Sequence, residues 1–328
     1  MGKNILAINF GGLGDEILFL PALISLKKEF PDSKITLALE PRSKSIQQLS
    51  NVIDDIITVD IKNKNKYFEI FKFIKKVISR KFDLVISSGA SPMIAIIEAM
   101  TLIPERYGYD TGFLSQKLLI KAIPLNKNQY AANMYHDLVS EITDKKTDIP
   151  QISVETEDKI PNSVLIHPGV SLMSKRKGCI KSINSKEWAE LVDRLCAYGK
   201  HVILAGGPDD EECISDILKY SENKNIENYY GKTKNLVELA KLISRAEKFV
   251  CSDSAPLHIA VAMGVRTYPF FGSTDDKKLV PKLPNITPLK AHDTCPLKPC
   301  LWERRTTSCE DLHCLKYDLS EVARIICE

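Results

Sequence analysis

The feature that most constrains the fold of this 328-residue chain is a pair of alternating patterns separated by a polar stretch. In each pattern, apolar runs of strand length alternate with segments of helical periodicity, which is typical of a parallel sheet covered by helices on both faces. The polar stretch, residues 143–162, contains Pro150 and Pro161 and shows neither helical nor strand periodicity. We therefore predict an α/β fold of two Rossmann-like doubly wound domains, residues 1–150 and 151–328. The carboxyl ends of both sheets are expected to face a ligand-binding cleft.

Composition and charge exclude several classes of protein. The hydrophobic fraction is 44% and the charged fraction 27%, values that are ordinary for a globular protein. The net charge of +3 is too small to indicate a nucleic-acid-binding protein. The sequence after Met1 has no apolar segment near the length of a signal peptide or a membrane span, so we expect a cytoplasmic protein. Its nine cysteines are then expected in a reducing compartment, where a disulfide framework is disfavoured.

A strand-to-helix junction in the second half is a candidate anion site. The segment Asp253–His258 follows the apolar run 248–252 and opens a predicted helix, with Pro256 in its first turn. The first turn of a helix leaves backbone N–H groups without partners and carries a partial positive charge, so a phosphate fits there. An ordinary capped helix with His258 packed on its first turn is the alternative.

A glycine-rich turn follows the first predicted strand and carries two carboxylates. The segment Gly11–Glu16 lacks both the spacing of a dinucleotide fingerprint and the Lys-Ser/Thr of a phosphate-binding P-loop. Carboxylates at the start of a helix compete with a phosphate for that position. Asp15 is therefore interpreted either as a helix cap or as a general base.

A basic loop follows another predicted strand of the second half. The turn His167–Ser171 is followed by Lys175, Arg176 and Lys177. Cations near a glycine turn can neutralise phosphates without a metal ion, whereas a solvated basic loop is the alternative.

Taken together, these segments resemble glycosyltransferase family 9, the bacterial heptosyltransferase family, over nearly the whole chain. Each motif is weak by itself, and the resemblance lies in their order. The motifs are Gly14-Asp15 with 20–23 and Phe30-Pro31; 167–171 with Lys175-Arg176; 231–233 with Leu236 and Glu238-Leu239; 253–258; 271–275; and a cysteine-rich tail.

The resemblance implies a GT-B fold, an acceptor held by residues 1–150 and a nucleotide-sugar donor held by residues 151–328. It further implies an inverting, metal-independent transfer, with heptose from ADP-heptose as the family expectation and a lipopolysaccharide-type or other surface glycan as the acceptor. Asp15 matches the catalytic base, and Lys175 and Arg176 match the pair that neutralises the leaving diphosphate. The implied donor-binding residues are Gly14, Ser171, Lys175, Arg176, Asp253, Ser254, Ala255, His258, Thr274 and Asp275.

Two departures from the family pattern bear on the donor. A longer loop from Gly178 to Asn184 stands where family members commonly have Trp, and Ala255 replaces a glycine.

Two other classes of protein share the architecture. One is an isomerase of the nucleotide-sugar 2-epimerase type, and the other is a nucleotide-sugar-binding protein without turnover. The sequence does not indicate the sugar, the base, the acceptor or the oligomeric state.

The tail contains four cysteines within twenty residues: Cys295, Cys300, Cys309 and Cys314. Four thiolates can close a tetrahedral site for structural zinc or iron. The spacing is looser than that of paired C-x2-C motifs, so reduced buried thiols or an adventitious disulfide are the alternatives.

A basic amphipathic helix is predicted near residues 67–80. We expect Tyr67, Ile70, Phe71, Ile74, Val77 and Ile78 to pack on the sheet. Phe68 and Phe73 then lie off that face, where with the lysines they could contact an anionic membrane surface carrying a lipid-linked acceptor. A solvated helix flank with two incidental aromatic residues is the alternative.

Overall fold

The computed structural model describes residues 2–62, 64–171, 174, 176, 178–291, 295, 298–300, 309 and 312–328. The chain divides into two compact units, Met1–Ser153 and Val154–Glu328. The division falls inside the polar stretch 143–162.

The first unit contains a parallel sheet of six strands in its described residues, in the order β3-β2-β1-β4-β5-β6. The strands are β1 (Asn4–Ile8), β2 (Lys34–Leu39), β3 (Asp55–Thr58), β4 (Leu84–Ser87), β5 (Glu105–Tyr109) and β6 (Lys121–Ile123). The helices are α1 (Leu13–Glu29), α2 (Lys66–Arg80), α3 (Pro92–Met100), α4 (Phe113–Leu118) and α5 (Ala131–His136), with 3-10 helices at Pro41–Leu49 and Asp137–Val139.

Helices cover both faces of this sheet. The chain runs outward from β1 to β3 and then returns to β4 and continues to β6, so right-handed crossovers place the helices of the two halves on opposite faces. Helix α1 packs against α5 and the 3-10 helix Pro41–Leu49, whereas α3 packs against α2 and α4. The central strands β1, β2 and β4 are largely buried and therefore consist mainly of apolar residues.

Helix α2 corrects one sequence prediction. Phe73, Ile74 and Val77 pack in the core beside Leu6 and Val85. Of the six residues expected on the sheet-facing side, Tyr67, Phe71 and Ile78 are exposed instead, and Phe68 is exposed as expected. The prediction for Phe73 was wrong because the buried stripe is rotated around the helix, which lets this large ring reach the core. Most residues of α2 are either apolar or basic with a long apolar stem, so periodicity alone did not define which side of the helix is buried.

The second unit has its own parallel sheet, in the order β12-β11-β10-β7-β8-β9 within the described residues. The strands are β7 (Ile160–His167), β8 (His201–Leu204), β9 (Glu227–Asn228), β10 (Ala246–Ser252), β11 (Arg266–Phe271) and β12 (Leu289–Lys290). The helices are α6 (Ser185–Ala197), α7 (Glu211–Tyr220), α8 (Leu236–Arg245), α9 (Ala255–Ala262), α10 (Asp276–Leu279) and α11 (Leu319–Cys327), with 3-10 helices at Pro208–Asp210 and His313–Leu315.

The core of the second unit forms around Trp188 of α6. Its indole ring packs edge to face on Phe270 of β11, with ring centroids 4.9 Å apart. The terminal helix α11 packs against α6 and buries Val322 and Ile326 in the same cluster. In the residues described here, no helix combines the length and the apolar composition needed to cross a membrane.

Candidate functional site

The turn after β1 gives Asp15 two structural contacts. One carboxylate oxygen, Oδ2, accepts a hydrogen bond from the backbone N–H of Gly12 at 2.7 Å. A Cβ atom at Gly11 would lie 2.4 Å from the Cβ of Asp15, so the close approach of this turn to the helix requires glycine. The helix-cap interpretation of Asp15 is thus correct for one oxygen. Gly14 lies beside Asp15 in the first turn of α1.

The other oxygen of Asp15 lies near a buried phenol. The hydroxyl of Tyr135 donates to Oδ1 at 3.3 Å. Burial raises the pKa of Tyr135 well above its usual value, and the neighbouring Asp15 raises it further, so the phenol keeps its proton. Its ring stacks edge to face on Phe19 at 5.6 Å, which fixes the direction of the hydroxyl. The carboxylate is therefore oriented at both of its oxygens.

Four further charged residues surround this turn. Glu40 accepts from Arg42 Nε and pairs with Lys62 Nζ, each at 3.1 Å from its Oε2. Glu16 is buried, and neither of its carboxylate oxygens has a hydrogen-bond partner. Burial raises the pKa of Glu16 well above its usual value, and the charge of Asp15 adds to the effect. Both effects favour the protonated form of Glu16.

A surface depression of about 530 Å³ lies along the 3-10 helix Pro41–Leu49. Two cations, Arg42 and Lys44, and the amides of Gln47 and Gln48 line it together with Pro41 and Ser45. The lining contains no carboxylate, so its polar groups favour an anionic or hydroxyl-rich ligand.

In the second unit, the predicted strand-to-helix junction forms as a strand running directly into a helix. Strand β10 ends at Ser252, Asp253 follows, and α9 begins at Ala255. Ser254 occupies the N-cap position in an extended conformation, but its side chain does not cap the helix. Its hydroxyl instead donates to the carbonyl of Ser252 at 3.4 Å.

The cation at this junction is Lys181, a residue that the sequence analysis missed. Its Nζ atom lies 2.8 Å from Oδ2 of the buried Asp253. Burial favours the neutral acid, but Lys181 outweighs this effect and holds the pKa of Asp253 below its usual value, with smaller contributions from His258 and Thr274. The signal in the sequence was Asp253 itself, because a carboxylate at the end of a central strand requires a nearby cation.

The loop that carries Lys181 is fastened to the ends of three strands. The hydroxyl of Ser182 donates to the carbonyl of Pro168 at 2.9 Å and accepts from Trp188 Nε1 at 2.9 Å. The hydroxyl of Ser252 donates to that of Ser182 at 2.9 Å, and the hydroxyl of Ser273 donates to the carbonyl of Ile180 at 2.9 Å. Lys181 is therefore held at the carboxyl edge of the sheet.

A second buried pair lies at the same edge, where β7 ends. Nε2 of His167 is 3.8 Å from Oδ2 of Asp210, and both side chains are buried. Burial lowers the pKa of His167, and the opposing effect of Asp210 is smaller, so the ring is neutral at pH 7. The carboxylate of Asp210 also accepts from the N–H of Gly207 at 2.9 Å. A Cβ atom at Gly169 would lie 1.7 Å from Asp210 Oδ1, so this turn also requires glycine.

The remaining predicted donor residues differ in their surroundings. His258 and Thr274 are buried near Asp253. Asp275 caps the short helix α10 by accepting from the N–H of Lys277, which is a structural role. Ser171 and Arg176 are exposed, with the Ser171 hydroxyl 3.1 Å from that of Ser174. Lys175, predicted as a catalytic cation, lies outside the described residues.

The cysteines of the tail do not assemble into a closed metal site. Within the part of the chain that the structure describes, no three or more His, Cys, Asp or Glu side chains are arranged to hold a metal ion. None of the nine cysteines, all of them among the described residues, forms a disulfide bond. Burial raises the pKa of Cys314, and Cys300 and Cys295 contribute to the shift, so these three thiols lie near one another.

Comparison with known proteins identifies relatives that are similar to this chain over most of its length. The profile of Glycosyltransferase family 9 (heptosyltransferase) matches residues 70–309. Lipopolysaccharide heptosyltransferase 3 of Escherichia coli is 28% identical over 283 residues, which are 80% of this chain and 81% of the relative.

Two solved structures match the fold. The glycosyl transferase family 9 protein from Veillonella parvula DSM 2008 superimposes with a TM-score of 0.75 and 21% identity, covering 98% of this chain and 95% of that one. Escherichia coli heptosyltransferase WaaC with ADP-2-deoxy-2-fluoro heptose gives a TM-score of 0.70 and 18% identity, covering 88% of this chain and 93% of that one. These likenesses confirm the predicted α/β fold of the GT-B type, with two doubly wound sheets.

Proposed function

Because the chain belongs to glycosyltransferase family 9, the heptosyltransferase family, we propose that it transfers heptose from ADP-heptose to a hydroxyl of a lipopolysaccharide-type acceptor. The names of two relatives support the two substrates: a lipopolysaccharide heptosyltransferase supports the acceptor, and WaaC with an ADP-heptose analogue supports the donor. The single observation that carries the proposal in this chain is the buried Asp253–Lys181 pair beside the start of α9.

We propose that the reaction is a single inverting displacement with Asp15 as the base. The acceptor oxygen forms a bond to the anomeric carbon and its proton passes to Asp15, while the bond from that carbon to the diphosphate breaks and ADP leaves. The hydrogen bonds from Gly12 and Tyr135 support this role, because they orient the carboxylate without neutralising it. Burial of Glu16 beside it disfavours a second negative charge there.

The second unit would stabilise the leaving diphosphate. The first turn of α9 supplies backbone N–H groups and the positive end of the helix dipole. Lys181 offsets the negative charge of Asp253 at this junction, so the carboxylate does not repel the diphosphate, and the pairing fixes the position of the lysine. These groups can neutralise the developing charge without a metal ion. Arg176 and Lys175 stay sequence-based candidates for the same task.

We assign the acceptor to residues 1–150 and the donor to residues 151–328. The cationic depression at the 3-10 helix Pro41–Leu49 supports the first assignment, since surface glycan precursors carry acidic groups. The start of α9 supports the second. The protein would then act at the cytoplasmic face of the membrane, where such a precursor is assembled.

The four cysteines of the tail, Cys295, Cys300, Cys309 and Cys314, stay a proposed structural site for zinc or iron. Metal analysis of protein purified without chelators tests this proposal. About one metal ion per chain supports it, and a content below about a tenth of that assigns them as reduced thiols.

A thermal-shift panel of nucleotide sugars tests the donor assignment. At a hundred times its Kd, a ligand stabilises the fold by about 2.7 kcal/mol. We expect stabilisation by ADP-heptose and none by UDP-sugars, and a response to UDP-sugars alone would overturn the assignment. Protein that binds ADP-heptose but transfers to no acceptor would favour a binding protein without turnover.

A further inference from the structure

The exposed apolar side chains of this protein are concentrated on one helical layer of the first unit. Among the described residues, ten of the thirteen large apolar or aromatic side chains that are exposed lie between Tyr67 and Ile120. This segment contains α2, α3 and α4, which pack side by side on one face of the sheet. The opposite layer, formed by α1, α5 and the 3-10 helix Pro41–Leu49, has none of them. We call the outer surface of α2, α3 and α4 the apolar face.

The exposure on this face is large and falls on side chains that soluble surfaces seldom present together. Tyr67 is 68% exposed, Phe68 55% and Phe71 51% on α2, and Phe113 is 72% exposed on α4. Single exposed apolar residues are ordinary, but a cluster on adjacent helices indicates an interaction surface.

The charge on the same face is positive. Residues 62–81 contain eight lysine or arginine residues and a single acid, Glu69, which is paired with Lys72. The segment 113–121 adds two lysines and no acid. Glu98, the acid of α3, is buried. Three of these cations pair with acids outside the two segments: Lys62 with Glu40, Arg80 with Asp55 and Lys121 with Glu141. The remaining charge around the aromatic rings is mainly cationic.

The lysines lie over the exposed aromatic rings. Nζ of Lys72 is 4.4 Å from the ring centroid of Phe68, and Nζ of Lys75 is 4.6 Å from that of Phe71. Proteins that lie in the headgroup region of a bilayer use this arrangement, in which lysine amines lie beside aromatic rings at the edge of an apolar face.

We propose that the apolar face docks on an anionic phospholipid surface. Phe68 and Phe71 would enter the boundary between headgroups and acyl chains, while Lys72 and Lys75 contact lipid phosphates. A second copy of the chain fits less well, because two such faces would bring their positive charges together. The inference goes beyond the proposed transfer reaction and does not depend on it.

Vesicle co-sedimentation without donor or acceptor tests the proposal. We expect the protein to bind vesicles of phosphatidylethanolamine and phosphatidylglycerol but not vesicles of phosphatidylcholine, and to be released by high salt. Lys72→Glu/Lys75→Glu should weaken binding by about thirtyfold or more, because each cation near an anionic surface contributes roughly fivefold. Phe68→Ser/Phe71→Ser should weaken it by about tenfold.

Tyr198→Ser/Tyr220→Ser is a matched control in the second unit. Both tyrosines are exposed, and Tyr220 also has lysines stacked over its ring, but they lie outside the apolar face. This control should bind vesicles as the wild type does. Failure of the wild type to bind anionic vesicles, or equal loss in the control, would overturn the proposal. So would a change of oligomeric state in the face variants, measured by sedimentation velocity, with vesicle binding unchanged.

Discussion

Replacing Lys181 by Met should destabilise the second unit by about 3 kcal/mol. The amine lies 2.8 Å from Asp253, whose side chain is only 4% exposed, so the variant leaves a carboxylate buried without its cation. Breaking a buried ion pair costs about 3–5 kcal/mol. We expect the lower end of that range, because 24% of the Lys181 side chain is exposed to water.

The loss should depend on pH in a defined direction. In the wild type Lys181 holds the pKa of Asp253 below its usual value. The ionised Asp253 therefore stabilises the fold above its unfolded pKa of about 4, and this contribution is lost as pH falls through the lower folded pKa. In Lys181→Met, burial raises the pKa of Asp253 instead, so the folded protein takes up a proton as pH falls. The difference between the two proteins should then be largest at neutral pH and shrink toward pH 4.

Urea denaturation at neutral and acidic pH measures both effects. Lys121→Met is a matched control, because Lys121 pairs with Glu141 at 3.0 Å on the exposed surface. That variant should lose less than about 1 kcal/mol. Lys181→Met/Asp253→Asn should recover part of the stability, since the buried charge is then absent.

Two results would refute this reasoning. A loss in Lys181→Met no larger than that in Lys121→Met would mean that Asp253 is not dependent on its cation. A loss of the expected size that is the same at both pH values would assign the effect to packing of the lysine stem and not to charge.

Two further substitutions test other parts of the account. Glu16→Gln should leave the free energy of unfolding unchanged at low pH and raise it relative to the wild type at neutral pH. Because the pKa of Glu16 is raised in the folded protein, its contribution to stability is present below about pH 4.5 and is lost as pH rises through the folded pKa. A difference in urea titrations that does not depend on pH would contradict this prediction. Gly169→Ala should cost about 1–3 kcal/mol in the same assay, since its Cβ would overlap Asp210. Gly207→Ala is the control, because its Cβ would lie 3.9 Å from Asp210, and equal losses in the two variants would contradict the argument.

Much of the architecture could be predicted because buried parallel strands leave continuous apolar runs. Strand β10 and the start of α9 were located from the run 248–252 and Pro256. The sequence of residues 132–142 also predicts one continuous helix, and this prediction was less accurate. The α-helix ends at His136 and continues as a 3-10 turn. The Ser140 hydroxyl donates to the carbonyl of Asp137, and the Thr143 hydroxyl accepts from the N–H of Lys145.

The candidate site was only partly predictable. Asp253 follows β10 directly, and Asp15 lies in the first turn of the helix after β1, so their place at a sheet edge could be deduced from position. Lys181 lies in a loop without periodicity, and hydrogen bonds between the loop and residues distant in sequence, such as those from Ser182 and Ser273, hold it at that edge. The prediction of which side of α2 is buried failed for a related reason, since the burial of Phe73 depends on how the helix packs on the sheet.

The most direct test of the central claim is the rate of heptose transfer from ADP-heptose by the wild type and by Asp15→Asn. Asparagine can still accept the hydrogen bond from Gly12, so the fold should be retained while the base is lost. Asp318→Asn, a helix cap far along the chain, controls for the loss of a capping charge. We predict that Asp15→Asn lowers kcat by about 10²–10⁴ with little change in donor affinity. Transfer retained within about tenfold of the wild type would exclude Asp15 as the base.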